Sequence, residues 1–417
     1  MAELLFLLTR GLFLGLLTML GVSTVVAAVF LARARRARAP SPAFAPPVAV
    51  MIPAYNEEAN IGPCLAALLA AGYPREKLDI IVVDDGSTDR TRAVVRAYPG
   101  VRLLSQEHRG KVAALNTAVR SARSDFLVSI DADTRLRPGA IAELVRPLAD
   151  RRIGAVTGVA KVANPRGALG WFQSVEYLAN AFSRESFASV FRFAPGICGA
   201  LTCYRRSSLL RVGGFRPDTA AEDFDVALEL ARRGSAVVAA RAAVGDTRVP
   251  ETLSELVRQR VRWMKGCMQC FVKHRALLVG GPPPLAYLVA AQIFWILYAL
   301  LSLPLIAYHF AYWLPLYAGS VLDLSLYVLR WATIVGPVYM LAKIPAWGIN
   351  FTYFFGVLAG LLAPLLMLVA VRWYDRLTLR AVLAILGFFP YTLLLSAMMM
   401  GSLVAYVRSG GKGVFRK

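Results

Sequence analysis

The chain has 417 residues, of which 57% are hydrophobic, with a mean hydropathy of +0.54 and a formal net charge of +21. This apolar content excludes an ordinary soluble enzyme, and long uncharged segments predict membrane-spanning helices. Many arginines flank those segments, so the positive-inside rule accounts for the basic charge without a nucleic-acid partner.

The cysteines and histidines form no pattern typical of a metal site. Five cysteines and three histidines are present. Cys198 with Cys203 and Cys267 with Cys270 lack the spacing and setting of a structural zinc site. Any catalysis is therefore expected to depend on carboxylates.

The first element is an apolar segment over residues 4–32, followed by the basic run Arg33–Arg38. A cleaved signal peptide carries its positive charge before the apolar run, whereas here the charge follows it. Residues 1–38 are therefore predicted to form a retained transmembrane anchor whose C-terminal end is cytoplasmic. Proline-rich residues 39–47 are interpreted as a linker to a domain over residues 48–250.

Short apolar runs alternate with helical patterns from residue 48 onward. The predicted strands are Val48–Ile52, Leu78–Val83, Val101–Leu104 and Phe126–Ile130. One predicted helix follows the first strand, with Asn56 or Glu57 at its N-terminal cap, and another covers Lys111–Ala122. This alternation indicates a parallel sheet in an α/β domain, with the ligand at the carboxyl ends of the strands. The polar residues that follow those ends are Tyr55, Asp85, Asp131 and Asp133, and their shared position predicts one nucleotide-like site.

Two acidic pairs are candidates for chemistry. Asp131 and Asp133 suit a hard divalent cation such as Mg or Mn, with a solvated turn as the alternative. Glu222 and Asp223 open a predicted helix that runs to Arg233, where the helix dipole stabilises acids whether or not they react. The residues alone leave both alternatives open.

Two further segments are predicted to lie at the membrane surface. Residues 165–192 mix aromatic and charged side chains, which is typical of interfacial helices, with core packing as the alternative. Residues 251–281 form an amphipathic helix that carries Gln259, Arg260, Arg262 and Trp263. Guanidinium groups match phosphate oxygens and an indole packs on a sugar ring, so this set can hold a diphosphate and a sugar; a basic helix lying on lipid is the alternative. Between the two segments, the glycines of PGICGALTCYRR, among them Gly199, permit a ligand chain to approach the backbone.

Residues 282–407 are predicted to form the C-terminal transmembrane region. Its apolar runs are Leu285–Ala318, Leu326–Ala342, Phe351–Val371 and Ala381–Val407, and each can cross a bilayer. Arg372–Arg380 and the tail over residues 408–417 both favour the cytoplasmic side, which strict alternation of spans cannot satisfy. A re-entrant or interfacial segment over Ile344–Phe355 would remove the conflict.

The motifs PAYNEE, VVDDGSTD, GKxxALN, DAD, AED and QRVRW occur in this order. With them, residues 48–275 resemble the membrane-integrated family 2 glycosyltransferases, in the processive group that contains the synthases of poly-N-acetylglucosamine, chitin oligosaccharides, hyaluronan and cellulose. The run FRFAPGICGALTCYRRSSLLRVGGF is most similar to bacterial poly-β-1,6-N-acetylglucosamine synthases. The resemblance implies a Rossmann-like GT-A domain inserted between transmembrane helices, in the inner (plasma) membrane, with the catalytic domain cytoplasmic.

The resemblance also implies roles for individual positions. Those that would hold the UDP-sugar donor are Tyr55, Glu57, Asp85, Lys111, Asp131, Gln259, Arg260 and Arg262. Asp133, helped by Asp131, would bind the Mg or Mn that bridges the diphosphate. Asp223, beside Glu222, would be the general base. Ala221 departs from the family, which often has Thr or Ser there, and this puts a hydrogen bond near the base in doubt.

On the acceptor side, the resemblance implies that Trp263 supports the acceptor sugar and that Gly199 borders it. The reaction would be the processive, inverting transfer of a UDP-activated sugar, UDP-N-acetylglucosamine above all, into a β-linked polymer that crosses the membrane. A single addition to a lipid acceptor and a hyaluronan-, chitin- or cellulose-type synthase are the alternatives.

Membrane lipid and small membrane or periplasmic export proteins are the expected partners. The aromatic residues proposed to line the polymer path, with an interfacial belt as the alternative, are Trp263, Trp295, Tyr298, Trp313, Tyr339, Trp347 and Tyr353.

Overall fold

The computed structural model describes residues 2–35, 44–194, 196–317, 319–347 and 351–410. An α/β domain follows the first helix, and further long apolar helices follow the domain. The strands are β1 Val48–Ala54, β2 Leu78–Asp84, β3 Val101–Ser105, β4 Phe126–Ile130, β5 Thr134–Leu136, β6 Ile153–Val162, β7 Leu201–Arg205 and β8 Ala236–Thr247.

The helices of the N-terminal part and of the domain are α1 Ala2–Ala34, α2 Ile61–Leu69, α3 Thr91–Arg96, α4 Lys111–Ser121, α5 Ala140–Val145, α6 Gly167–Phe191, α7 Arg206–Arg211, α8 Glu222–Arg232, α9 Leu253–Lys273 and α10 Leu277–Gly280. The remaining helices are α11 Pro283–Tyr317, α12 Val321–Ala332, α13 Val335–Trp347, α14 Phe351–Tyr374, α15 Leu379–Leu386 and α16 Phe388–Arg408.

The strands form one sheet in the order β3-β2-β1-β4-β7-β6-β8-β5. β3, β2, β1 and β4 are parallel, as the sequence predicts, but β7 is antiparallel to both β4 and β6. The reversal arises because the chain after α6 first bridges β8 at Phe193 and Val237 and turns back before it enters β7. The parallel arrangement predicted from the first four strands is confirmed, and the reversed strand β7 belongs to a part of the sheet for which the sequence predicted no strands.

Both faces of the central strands are buried. In β1, Ala49 and Met51 enter one apolar cluster, whereas Val48, Val50 and Ile52 enter the cluster on the other face. A strand covered on both faces has a continuous apolar sequence, and for this reason the predicted positions of β1, β2 and β4 agree with the observed strands.

Two predicted helices differ from those observed. The helix after β1 begins at Ile61, not at Asn56 or Glu57, because Asn56 has φ +53° and lies in a loop. Residues 165–192 contain one helix, α6, which contacts the sheet strands β6 and β8 as well as α1, α14 and α15. It therefore lies between the domain and the apolar helices.

Four helical segments within the described residues are long and apolar enough to cross a membrane: Arg10–Ala34, Pro283–Pro304, Val357–Tyr374 and Phe388–Arg408. A fifth crossing is formed only if Val321–Arg330 and Val335–Lys343, which are bent by 98°, act as one broken span. A single straight helix over Leu326–Ala342 is thus not observed. The predicted span Ala381–Val407 is likewise divided at Gly387 into α15 and α16.

The structure describes only part of the segments predicted at the end of the chain. Residues 348–350, at the centre of the expected re-entrant segment, and residues 411–417 of the basic tail lie outside the described residues. Among the proposed lining aromatics, Trp295 and Tyr298 contact each other, with ring centroids 5.6 Å apart. The side chains of Trp313, Trp347 and Tyr353 lie outside the described part.

Candidate active site

Lys111, the first residue of α4, lies between the two acidic motifs. Its Nζ is 2.7 Å from Asp131 Oδ1 and 3.2 Å from Glu222 Oε1. Burial lowers the pKa of the Lys111 ammonium, but the charges of Asp131 and Glu222 outweigh burial, and the pKa is raised above its ordinary value. A permanent cation thus holds the end of β4 against the start of α8.

Asp223 lies in the first turn of α8, beside Glu222. Its Oδ1 accepts a hydrogen bond of 2.8 Å from the N–H of Phe224, and a Cβ atom placed on Gly199 would lie 2.5 Å from its Oδ2. Burial, followed by the charge of Glu222, raises the pKa of Asp223 to about 6. A carboxylate with such a pKa is well matched to proton abstraction near neutral pH.

Asp133 follows β4 and sits in an excess of negative charge. Burial and then the charges of Asp131 and Glu57 raise its pKa to about 6. Its Oδ1 accepts weak hydrogen bonds of 3.3 Å from Thr134 Oγ1 and 3.4 Å from Thr247 Oγ1. Within the described residues, no group of three or more His, Cys, Asp or Glu side chains is arranged to hold a metal ion by itself. The carboxylate oxygens of Asp131 and Asp133 fit a hard divalent cation that takes its remaining ligands from substrate oxygens.

Asp85 organises the loop that precedes α4. It is 2% exposed. Its Oδ1 accepts from Gln106 Nε2 at 2.6 Å and from Arg109 N at 3.0 Å, and its Oδ2 accepts from Gly110 N at 2.7 Å. These bonds show that Asp85 shapes the loop; its predicted contact with uridine remains a prediction.

Sequence reasoning missed His108, which covers Tyr55. The two rings stack with centroids 4.1 Å apart, and His108 Nδ1 lies 3.0 Å from Asp85 Oδ2. Gly86, with φ +81°, permits this approach, because a Cβ there would lie 2.8 Å from His108 N. The sequence signal was a histidine two residues before the GK motif.

Helix α9 begins at a capping box formed by Thr252 and Glu255. One of its faces packs against the AED motif. A Cβ on Gly266 would lie 2.6 Å from Ala221 N, and Gln269 Oε1 accepts from Ala220 N at 2.9 Å. This close contact fixes α9 beside the start of α8.

Arg262 and Gln259 lie on the same side of α9 as Gly266, at helical spacings of four and seven residues. The half-buried Arg262 guanidinium has no hydrogen-bond or ion-pair partner among the described residues. Gln259 Oε1 is buried and also lacks a hydrogen-bond partner there. These two groups are available to a ligand.

Arg260 points to the other side of α9. Its Nη2 lies 2.8 Å from Glu176 Oε2 of α6 and 3.5 Å from the hydroxyl of Tyr391 of α16, which itself donates to Glu176 at 2.6 Å. Trp263 lies against the same guanidinium, with 4.6 Å between Cζ and the ring centroid. Arg260 thus joins α9, α6 and α16, and it makes no contact with the acidic cluster among the described residues. Its predicted role in holding the donor remains a prediction.

A second buried network joins α8 to α9. Asp225 accepts from Lys273 Nζ at 2.7 Å and lies 2.7 Å from His274 Nε2, with both Asp225 and His274 nearly inaccessible. These contacts give Asp225 a structural role in holding α8 against α9.

The comparisons with known proteins agree with this arrangement. The family model described as "Glycosyltransferase like family 2" matches residues 46–266, more than half of the chain. The chain belongs to glycosyltransferase family 2. The match ends at Gly266, so it includes the QRVRW motif of α9 together with the acidic motifs.

Curated relatives of this family 2 protein include the poly-β-1,6-N-acetyl-D-glucosamine synthases of Staphylococcus aureus (strain COL), 31% identical, and Staphylococcus epidermidis, 28% identical. Each match covers 224 residues, 52% of this chain and 54% of the relative. The chain thus spans about half the length of the curated relatives it matches.

A solved structure of a mannosyltransferase from Pyrobaculum calidifontis, in complex with GDP-Man and Mn2+, is also similar. It is 27% identical, with a TM-score of 0.56, and the match covers 87% of this chain and 98% of the other. Together with the family match, this confirms the predicted Rossmann-like GT-A domain, flanked by helices long enough to span a membrane.

Proposed function

We propose that this protein is a membrane-bound, inverting glycosyltransferase that polymerises a UDP-activated sugar into a β-linked polysaccharide and passes the polymer across the membrane. The observation that carries the proposal is the Lys111 bridge between Asp131 and Glu222, because it assembles the DAD and AED motifs into one site. The similarity to poly-β-1,6-N-acetyl-D-glucosamine synthases supports UDP-N-acetylglucosamine as donor and a β-1,6 linkage as product.

The general base is Asp223. It takes the proton of the attacking acceptor hydroxyl as that oxygen forms a bond to the anomeric carbon and the bond to the leaving diphosphate breaks. Glu222 keeps Lys111 in place and, through its charge, raises the pKa of Asp223. One base with no second carboxylate acting as a nucleophile gives a single displacement, so an α-linked donor yields a β-linked product.

Asp133, with Asp131, would hold a divalent cation, Mg or Mn. Such a cation supplies Lewis-acid stabilisation of the negative charge that develops on the departing diphosphate. The Mn2+ bound to the similar mannosyltransferase supports this assignment. The Arg262 guanidinium donates to the diphosphate, since it has no partner among the described residues and shares a face of α9 with Gly266. Gln259 lies on the same face, and its amide Nε2 is the atom that could donate beside it.

The acceptor lies between Gly199 and Trp263. Gly199 lacks a side chain where the acceptor hydroxyl must approach Asp223 Oδ2, and the indole of Trp263 is held by Arg260. Arg260 also donates a hydrogen bond to Tyr391 of α16, so the Trp263 indole, the proposed acceptor platform, is connected to a candidate membrane span. The polymer would pass from this platform along the aromatic residues of the C-terminal helices. The catalytic domain would face the cytoplasm in the inner membrane.

A second candidate is the addition of one sugar to a lipid acceptor. The observation in its favour is that a protein named as a mannosyltransferase, and not as a polymer synthase, matches 87% of this chain, which is more than the catalytic domain alone. The two candidates predict different product lengths, and the second allows GDP-mannose as well as a UDP-sugar as the donor.

One experiment separates them. The purified full chain in nanodiscs, with Mn2+ or Mg2+, is incubated with radiolabelled UDP-N-acetylglucosamine, UDP-glucose, UDP-glucuronic acid or GDP-mannose, and products are sized with and without β-1,6-N-acetylglucosaminidase. A polymer formed from UDP-N-acetylglucosamine and degraded by this enzyme supports the proposal. A single labelled lipid product, from GDP-mannose or any UDP-sugar, would replace it with the second candidate.

Trp263→Ala tests processivity directly. We expect short products and retained metal-dependent donor binding, because the acceptor platform is lost while the donor site remains. Trp263→Phe keeps an aromatic platform and is the matched control. Polymer of unchanged length from Trp263→Ala would remove Trp263 from acceptor binding.

A further inference from the structure

A cleft outside the catalytic site lies between the C-terminal ends of α1 and α14. Its volume is about 590 Å³. The apolar part of its wall comes from the last turns of two candidate membrane spans, with Leu31 and Ala34 on α1 and Leu368 and Val369 on α14. A groove built from the ends of spanning helices lies where lipid headgroups meet acyl chains.

Three arginines from three different elements complete the wall: Arg35 follows α1, Arg372 is in the last turn of α14, and Arg241 is on β8 of the catalytic domain. All three are exposed. Arg241 donates to the carbonyl oxygen of Trp373, and its Cζ lies 4.0 Å from the centroid of that indole. The guanidinium is thereby held at the rim of the cleft.

No acidic residue lines the cleft among the described residues. Two acidic side chains contact this end of α14, and each already has hydrogen-bond or ion-pair partners. Glu185 accepts from Trp373 Nε1 at 2.9 Å and from the Tyr374 hydroxyl at 2.5 Å, and Asp375 pairs with Lys161 at 2.8 Å. Glu185 also interacts electrostatically with Arg241, whose charge favours the ionised form of Glu185, so Arg241 has a partial counter-ion. Arg35 and Arg372, by contrast, have no ion-pair partner among the described residues.

We propose that this cleft binds an anionic phospholipid. Guanidinium groups match the oxygens of a phosphodiester, and the apolar wall would cover the first carbons of an acyl chain. Basic pockets between membrane helices on one side of the bilayer are suited to anionic headgroups. A soluble phosphate would use the arginines but not the apolar wall, so the lipid is the better fit. The bound lipid would contact the catalytic domain through β8, the strand that also carries Thr247 beside Asp133.

The test uses the purified full chain in detergent and measures the binding of phosphatidylglycerol and phosphatidylcholine by native mass spectrometry. Arg35→Gln/Arg372→Gln is compared with Arg376→Gln/Arg380→Gln, which makes the same change in charge beside α14 but does not touch the cleft. Near a membrane surface each arginine strengthens binding of anionic lipid about 5-fold, so we expect about 25-fold weaker phosphatidylglycerol binding in the first variant only. Phosphatidylcholine binding should not change in either.

Arg35→Lys/Arg372→Lys keeps the charge and should restore much of the affinity. Glycerol 3-phosphate, added as a soluble competitor, should displace little lipid. Equal phosphatidylglycerol binding by the two glutamine variants would overturn the proposal. Displacement of the lipid by glycerol 3-phosphate at comparable concentrations would also overturn it, because the site would then recognise a soluble phosphate.

Discussion

The Nζ atom of Lys111 lies 2.7 Å from Oδ1 of Asp131, at the start of a bridge between two acidic motifs that are about ninety residues apart in the chain. The same ammonium is 3.2 Å from Glu222. Its positive charge also lowers the pKa values of Asp133 and Asp223, which burial and neighbouring acids raise. Lys111 is therefore the electrostatic centre of the site.

For Lys111→Met we expect a large loss of transfer and a shift in the pH dependence of the remaining activity. Loss of the ammonium removes an interaction that favours the ionised form of Asp223, so the acid limb of the pH–rate profile should move to higher pH. Lys111→Arg retains the charge and should keep the limb near its wild-type position. An unchanged profile in Lys111→Met would contradict this role.

For the wild-type protein we expect kcat to fall as the pH drops through about 6, since the base must be ionised and the pKa of Asp223 is about 6. Asp223→Asn should lower kcat by at least about 100-fold, as expected for loss of a general base, with nucleotide binding retained. Binding measured by calorimetry separates the two effects. Substantial activity in this variant would exclude Asp223 as the base.

The raised pKa of Asp223 also makes the free energy of unfolding depend on pH. Because the pKa in the folded protein exceeds the ordinary value of 3.8, the contribution of Asp223 to the free energy of unfolding is fully present below pH 3.8 and is lost as the pH rises through about 6. At pH 7.5 the ionised carboxylate is destabilising, so Asp223→Asn should have a Tm equal to or above that of the wild type. A clear fall in Tm would contradict this sign.

Gly199→Ala should impair catalysis without unfolding the protein. The added Cβ would lie 2.5 Å from Asp223 Oδ2 and must displace the carboxylate. A shift of about 1 Å in a reacting group can reduce the rate about 100-fold, so we expect a loss of this order in kcat. Gly280→Ala, where the added Cβ meets no atom within 4 Å, is the control. Equal kcat values for the two variants would mean that Gly199 does not constrain the base.

Arg260 and Arg262 should respond oppositely to the same substitution. Arg260→Met leaves the largely inaccessible Glu176 with only the Tyr391 hydroxyl as a partner, so we expect a loss of up to about 3 kcal/mol in the free energy of unfolding, seen as a lower Tm. Arg260→Met combined with Glu176→Gln should recover much of this loss. Arg262→Met should keep the wild-type Tm and lower transfer about 100-fold, as expected when one charge-stabilising donor is removed. The reverse pattern would exchange the roles assigned to the two arginines.

The strands of the first half of the domain and the acidic motifs that follow them were predictable from local sequence patterns. β1, β2 and β4 are continuous apolar runs because both of their faces are buried, and parallel topology sends their carboxyl ends to one edge. Asp131 and Asp133 could therefore be placed beside Tyr55 and Asp85 before any coordinates. The reversed strand β7 was not predicted from the sequence. The turn that reverses it depends on a bridge to β8, a strand more than thirty residues later in the chain.

The side of α9 that faces the AED motif depends instead on long-range packing, which local patterns do not reveal. Arg260 and Arg262 are chemically identical and two positions apart, so composition and spacing assign them the same role. Two residues turn an α-helix by about 200°, which places one guanidinium against Glu176 and Tyr391 and the other on the face of Gly266. The rotation of α9 is fixed by the packing of Gly266 on Ala221, a contact between residues far apart in the chain, and such contacts leave no local pattern in the sequence.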